Sequence, residues 1–315
     1  VPERVFTLLV NPTSGGGMAH AHAGVVERAL RAAGARVWMR PTEDVEHARQ
    51  EAAAAVARAL AEPDVEHVVV AAGGDGSVHL VLQAIGDSGV PMGVVPAGSG
   101  DDAARAWGLG RGEPHRMAEV LLTAPVTPVD LGRAEAADGT VTWFATVLAA
   151  GFDARVSERS LGMTGVPASV RYLLAVAGEL RGFHPISYRL VLDGEPVDTD
   201  AMLVALGNSP SYGRGMLVCP QADPTDGRLD VVLLHPIPIP EFLRVFPRVY
   251  RGTHVSHPAV QVRRVAEATV HAPDVLAFAD GEPVARLPLR VSAAKGVLRL
   301  VTAGVPPPRR VGVGP

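Results

Sequence analysis

Lysine is nearly missing from this chain. Lys295 is the only one, so arginine supplies almost all of the 29 Lys and Arg residues. Any phosphate-binding loop here works without a lysine, which rules out the Gly-Lys-Ser/Thr ending of a Walker A loop. Cysteine is just as scarce. Cys219 stands alone, which excludes an intrachain disulfide and a cysteine-based zinc site. A reducing compartment fits that usage. No apolar run approaches the roughly 20 residues needed to cross a bilayer. Val5–Val10 opens the chain with a strand-like run, and neither a basic leader region nor a small-residue cleavage site precedes it. Positive charge is not in excess either. A net charge of −4 gives no support to a nucleic-acid binder held by charge. These absences together predict a cytoplasmic protein that meets a membrane, if at all, peripherally at its inner face.

The 315 residues are 47% hydrophobic and 20% charged, an ordinary globular balance with room for about two domains. Through residue 127 the pattern alternates. Strand-like runs Val5–Val10, Ala35–Met39, Val65–Ala72 and Met92–Val95 are separated by helical stretches at Met18–Ala33, Asp44–Ala61 and Ser77–Ile85. That rhythm predicts an α/β domain with a parallel sheet. From 128 to 291 the runs shorten and are bounded by turns. They include Val129–Ala134, Val141–Ala150, Ser187–Leu192, Ala201–Leu206, Leu229–Leu234, Val260–Val265, Ala268–His271 and Leu287–Val291. Asp-Gly pairs at 138–139, 193–194 and 280–281 are hairpin signals, so this part is read as a mainly-β domain. Helical stretches interrupt it near Ser169–Leu180 and Pro240–Tyr250. Residues 292–304 are read as a return to the first domain, and 305–315 as a disordered tail.

Three glycine-rich loops follow strands of the first domain: Asn11–Gly17, Gly73–Ser77 and Pro96–Gly100. In a parallel sheet, ligands sit beyond the carboxyl ends of the strands, and glycine lets backbone amides approach a phosphate closely. Any one of these loops also reads as an ordinary tight turn, but three at one sheet edge favour phosphate binding. Asp75 is the distinctive residue. A carboxylate in a phosphate loop repels its ligand unless a cation lies between them, which points to Mg²⁺.

Gly73-Gly74-Asp75-Gly76-Ser77 resembles the Gly-Gly-Asp-Gly-Thr signature of the diacylglycerol kinase catalytic domain family. Asn11-Pro12-Thr13-Ser14-Gly15 resembles its first loop, and Val95–Asp102 its third. NAD kinases share the Gly-Gly-Asp-Gly loop, so that loop alone leaves both families open. Asp223–Asp230 and Ala279-Asp280-Gly281-Glu282 are similar to later segments of the lipid kinases and favour that branch. The resemblance implies a nucleotide-binding domain of NAD kinase type, a β-sandwich partner, and an active site in the cleft between them.

By that resemblance ATP is bound by Asn11, Pro12, Thr13, Ser14 and Gly15, by Gly73, Gly74, Asp75, Gly76 and Ser77, and by Ser99 and Thr42. Ser77 and Ser99 stand where threonine is usual and keep the hydroxyl donor. Thr42 reads equally well as the N-cap of the Asp44–Ala61 helix. Glu282 is implied as general base, with Asp75 the second catalytic residue on the ATP and Mg²⁺ side, although Asp-Gly-Glu is also a plain hairpin turn, repeated at Asp193-Gly194-Glu195. Asp223, Asp226 and the Arg228 carbonyl are implied Mg²⁺ ligands, or else an Asx-rich turn. Asp101 departs from the family's asparagine. Its extra charge calls for Mg²⁺ or an arginine, with Arg105 one candidate.

The expected reaction moves the ATP γ-phosphate to a lipid hydroxyl, diacylglycerol being the first choice. An NAD kinase-like enzyme and a non-catalytic nucleotide- or lipid-binding module are the alternatives. The expected partner is a lipid presented at a membrane surface, and a homodimer is compatible with the sequence. Leu161–Phe183 is amphipathic. It reads as a helix packed on the β domain, or as the border of an acyl-chain groove.

Overall fold

The computed structural model describes residues 4–110, 112–163, 168–182 and 184–308. The chain divides into two units. The first runs to Leu131 and adds Pro224–Asp226 and Ala294–Pro307, while the second comprises Gly132–Asp223 and Gly227–Ala293.

The first unit opens with β1 (Arg4–Val10), α1 (Met18–Ala32), β2 (Arg36–Pro41), α2 (Val45–Ala61), β3 (Glu66–Gly73), α3 (Asp75–Ile85) and β4 (Met92–Pro96). Two helices absent from the sequence reading follow, α4 (Asp102–Ala106) and α5 (Pro114–Thr123), and then β5 (Val126–Ala136). The strands lie in the order β2-β1-β3-β4, and every pairing is parallel. Both faces of this sheet are covered, so its central strands read as continuous apolar runs. Phe6, Leu8 and Val10 alternate with Val5 and Leu9, and all are buried. Phe6, Leu8 and Val10 pack with Val26 and Leu30 of α1 and Leu121 of α5. Asp44 caps α2 by accepting the His47 amide at 2.8 Å, an interaction that stabilises a helix by about 1 kcal/mol.

The second unit continues with β6 (Val141–Phe144), β7 (Val147–Gly151), α6 (Phe152–Gly162), α7 (Ala168–Glu179), β8 (Ile186–Leu192), β9 (Glu195–Ala201), β10 (Leu203–Gly207), β11 (Leu229–Leu234) and α8 (Ile239–Val245). It closes with β12 (Val260–Val265), β13 (Glu267–His271), β14 (Leu276–Ala279), β15 (Glu282–Arg286) and the start of β16 (Leu289–Val301). One antiparallel sheet runs β12-β11-β10-β7-β14-β15, and a second pairs β13 with β16 and β8, and β8 with β9. Their facing side chains form one core. Leu148, Leu206, Val231 and Leu233 come from the first sheet, and Leu190, Val270, Leu289 and Val291 from the second. This is the β-sandwich. The outer face of the first sheet is covered as well. Val232 joins a cluster with Tyr212, Met216 and Cys219, and Leu234 joins another with Phe152, Val156 and Phe242. Leu229–Leu234 is therefore apolar almost throughout.

Three expectations about elements change. Val141–Ala150 is not one strand: it breaks at Ala145 and Thr146, whose amides turn to a carboxylate described below. Ala201–Leu206 divides between β9 and β10. The whole of β9 was missed because Glu195–Ala201 is largely polar, as suits a strand at the end of its sheet. Leu287–Val291 extends to Val301 as β16. Val166, Phe183 and residues 309–315 of the expected tail lie outside the described residues.

Candidate active site

The three glycine loops of the first unit leave the carboxyl ends of β1, β3 and β4, which are neighbours in the order β1-β3-β4. They touch through their backbones. A Cβ added at Gly74 would stand 3.0 Å from the Gly98 Cα, and one added at Gly98 would stand 2.5 Å from the Gly74 Cα. A side chain at Gly15 would collide with the Ala97 carbonyl, and one at Gly73 with the Ser77 hydroxyl. Glycine at these positions permits contact between the second and third loops and between the first and third. The cradle is therefore backbone-walled, which is what close approach to a polyphosphate requires.

The first loop is organised by Asn11. Its Oδ1 accepts the Thr13 amide at 3.1 Å and the Thr13 hydroxyl at 2.9 Å, an Asx turn. Pro12 and Ser14 are half-buried, and Gly15–Gly17 all have positive φ. The second loop feeds directly into α3, with Gly74 as N-cap and Asp75 as its first residue. The first-turn amides of such a helix lack intrahelical acceptors and carry partial positive charge. Gly76 is exposed there, and Ser77 begins the ladder by donating its amide to the Gly74 carbonyl at 2.9 Å. Asp75 Oδ1 accepts the Ala103 amide at 3.2 Å, which ties the second loop to the first turn of α4.

Thr42 is not the N-cap of α2, since Asp44 takes that role. The Thr42 amide and hydroxyl instead donate to the Val10 carbonyl at 2.8 and 3.1 Å, so Thr42 is buried beside the origin of the first loop. Ser99 is exposed at the tip of the third loop.

Asp101 requires a second correction. Arg105 pairs with Asp102 at 2.7 Å and donates to the Gly100 carbonyl. Asp101 is 3% exposed, and its Oδ1 accepts the Gly98 amide at 2.8 Å. Its φ is +55°, a left-handed conformation that Asp and Asn tolerate better than other side chains. The Asp-for-Asn departure thus preserves both the backbone conformation and an acceptor for the loop amide.

In the second unit, Asp193-Gly194 and Asp280-Gly281 form tight hairpin turns with positive φ at both residues. The two aspartates act alike. Asp193 Oδ1 accepts the amides of Ala266 and Glu267, each at 2.9 Å. Asp280 accepts the Ala145 amide at 3.0 Å and the Thr146 amide at 2.8 Å. The glutamates that follow differ. Glu195 is paired with Arg263 at 3.2 Å, whereas Glu282, half-buried at the start of β15, has no side-chain partner among the described residues. A general base needs such an uncompensated carboxylate.

The support around Glu282 was not foreseen. The Thr146 carbonyl, next to the Asp280 contacts, accepts the amides of Asn208 and Ser209 at 2.8 and 3.1 Å. Buried Asn208 also donates its side-chain amide to the Ala145 carbonyl at 3.0 Å. The Asn208-Ser209-Pro210 turn signal after a strand was the clue available in the sequence.

Asp223 and Asp226 are half-buried in the turn before β11, and the Arg228 guanidinium bonds to Asp193 at 3.2 Å. Among the described residues no three His, Cys, Asp or Glu side chains converge as a ready-made metal site. Two carboxylates in a turn still suit a hard oxygen-seeking cation that also takes carbonyl and water ligands.

Comparison with known proteins identifies the family. Residues 5–134 match the diacylglycerol kinase catalytic domain, and residues 146–302 match the YegS C-terminal NAD kinase beta sandwich-like domain. The chain belongs to the diacylglycerol kinase catalytic domain family, whose members are ATP-dependent phosphotransferases. It is 36% identical to a diacylglycerol kinase of Mycobacterium tuberculosis over 94% of each chain. It is 31% identical to a protein of Pseudomonas aeruginosa that bears the name YegS-like lipid kinase, over 89% of this chain and 91% of that one. A solved diacylglycerol kinase of Bacillus anthracis shares the fold with a TM-score of 0.69 at 16% identity, covering 96% of this chain and 97% of that one. Membership in this family turns the choice away from an NAD kinase.

Proposed function

We propose that this chain transfers the γ-phosphate of ATP to the hydroxyl of a lipid, with diacylglycerol as acceptor and phosphatidic acid as product. The observation that carries the reading is the backbone cradle formed where Gly74 meets Gly98 and Gly15 meets Ala97. The cradle suits a polyphosphate, and the M. tuberculosis relative supports the acceptor. In this reading Asn11, Pro12, Thr13, Ser14, Gly15, Thr42, Gly73, Gly74, Gly76, Ser77 and Ser99 bind or border the nucleotide. The amides of the first turn of α3 receive its phosphates. Asp75 would hold a Mg²⁺ at the phosphates, which when bound neutralises their charge, and Asp223, Asp226 and the Arg228 carbonyl would hold a Mg²⁺ of their own. Glu282 removes the proton from the lipid hydroxyl as its oxygen bonds to the γ-phosphorus. The bond from that phosphorus to the β-phosphate bridging oxygen breaks, and ADP leaves.

The chain would act from the cytoplasm on lipid in a membrane surface. Among the described residues no helix is long and apolar enough to cross one. The YegS-like relatives favour a second reading in which the acceptor is another lipid alcohol. Both are tested by incubating the protein with γ-labelled ATP, Mg²⁺ and a panel of diacylglycerol, sphingoid bases, glycolipids and isoprenoid alcohols, followed by chromatography. Label in phosphatidic acid supports the first reading. Label only in another lipid selects the second. ATP binding without transfer to any acceptor overturns both and indicates a binding module.

A further inference from the structure

The segment from Pro236 to Arg251 is apolar on two opposite sides. Phe242, Val245 and Val249, at i, i+3 and i+7, are buried. Phe242 meets Phe152 edge-on at 5.3 Å between ring centroids and Phe246 at 5.5 Å, so this side anchors α8 and the following 3-10 turns to the unit. The opposite side is Pro236, Ile239, Pro240, Leu243, Pro247 and Tyr250, all exposed. Eight large hydrophobic side chains are exposed among the described residues, and three of them fall between 239 and 250: Ile239 at 39%, Leu243 at 49% and Tyr250 at 49%. A concentration of this kind on a soluble surface marks an interaction site.

Charge identifies what covers it. Arg244 and Arg251 border the exposed apolar side, and neither has a carboxylate partner among the described residues, whereas Arg248 is held by the Thr253 carbonyl and the Ser256 hydroxyl, each at 2.7 Å. Elsewhere in the same unit Arg189, Arg263, Arg264 and Arg290 each pair with an acid. The one acid of the segment, Glu241, is taken by His257 at 3.1 Å. A chain of net charge −4 thus keeps two arginines without a carboxylate partner, Arg244 and Arg251, beside this cluster of exposed apolar side chains. Apolar side chains with flanking arginines and a tyrosine form the pattern of a surface that lies in the headgroup layer of an anionic bilayer.

We propose that the Pro236–Arg251 segment docks this protein on an anionic lipid bilayer. Ile239, Leu243 and Tyr250 enter the acyl boundary, and Arg244 and Arg251 meet lipid phosphates. The choice of a bilayer rests on the lipid-kinase reading above.

The test is co-sedimentation of the full chain with vesicles of phosphatidylcholine alone or mixed with phosphatidylglycerol, together with transfer assays on dioctanoylglycerol dispersed in water and on long-chain diacylglycerol in the vesicles. The wild type sediments with the mixed vesicles. Leu243→Ser/Tyr250→Ser weakens that binding about tenfold or more. Arg244→Gln/Arg251→Gln weakens it about fivefold per arginine and removes the preference for phosphatidylglycerol. Both variants melt like the wild type and keep its rate on dioctanoylglycerol, while their rate on vesicle-borne substrate falls. Equal sedimentation of wild type and variants overturns the proposal, as does a wild type that stays in the supernatant. A concentration-dependent dimer abolished by Leu243→Ser/Tyr250→Ser also overturns it and assigns the face to a second copy. Failure of the wild type to phosphorylate either substrate tells against the kinase reading and leaves the sedimentation result to decide the docking face.

Discussion

Asp280 holds Thr146 at two points. Its Oδ1 accepts the Thr146 amide at 2.8 Å and the Thr146 hydroxyl at 2.5 Å, while Oδ2 takes the Ala145 amide. These bonds connect positions 134 residues apart in sequence and fix the turn from which Glu282 projects. Hydrogen bonds to an ionised acceptor contribute more than neutral ones. Asp280→Ala is therefore expected to lower stability by about 3 kcal/mol and to reduce transfer as well. Urea denaturation alongside the lipid assay reads both.

Glu282→Gln should separate chemistry from folding. The carboxylate has no partner among the described residues, so its loss leaves the hydrogen-bond network intact. Transfer falls about a hundredfold or more, with an unchanged melting temperature and unchanged ATP affinity. The matching change Glu195→Gln, on the twin turn, leaves the rate alone. Wild-type turnover in Glu282→Gln would remove the base assignment.

At Gly98 a methyl group meets the Gly74 Cα at 2.5 Å and the Asp101 Oδ1 at 2.6 Å. Gly98→Ala forces the second and third loops apart. We expect a stability loss of about 1–3 kcal/mol and a KM for ATP raised about tenfold. Steady-state kinetics over a range of ATP concentrations distinguishes this from a pure kcat effect.

Asp101→Asn is expected to be nearly silent, because the amide oxygen still accepts from Gly98 and asparagine tolerates φ of +55°. The rate stays within about threefold of wild type. Asp101→Val, which is β-branched and has no acceptor, should inactivate the protein.

His254 gives a pH signature. It is 7% exposed, with Nε2 lying 3.1 Å from the Val218 carbonyl and Nδ1 buried without a partner. Burial pushes its pKa down from 6.5 to about 4. The folded protein holds this ring neutral while the unfolded chain protonates it. The stability His254 contributes is complete above pH 6.5 and is lost as pH falls towards 4, to a total on the order of 3 kcal/mol. Melting temperatures at pH 5 and pH 7.5 should diverge in the wild type and converge in His254→Gln.

The parallel sheet was legible because its buried strands are uninterrupted apolar runs that end in glycine, and each of its loops carries its own local signature. What stayed hidden depends on distant partners. Val141–Ala150 reads as one strand until Asp280, far along the chain, captures two of its amides. Glu195–Ala201 shows no apolar alternation, having only one neighbour in its sheet. The pairing of Arg105 with Asp102 in place of Asp101 depends on the left-handed turn at Asp101, which no side-chain pattern announces. For the site, the sequence supplied the candidate residues by resemblance. The difference between Glu195 and Glu282 emerged only once Arg263 was seen beside the former.

The near-absence of lysine reaches beyond the phosphate loops into how this protein can be labelled. Lys295 is exposed on β16, five residues before Leu300, which pairs with Met92 at the start of β4. The loops leave the other end of β4. An amine-directed nucleotide affinity reagent would therefore find no side chain to acylate beside the cradle. A plain succinimidyl ester would place its one side-chain fluorophore at Lys295, away from the cradle, with the chain's terminal amine as the other amine it could acylate.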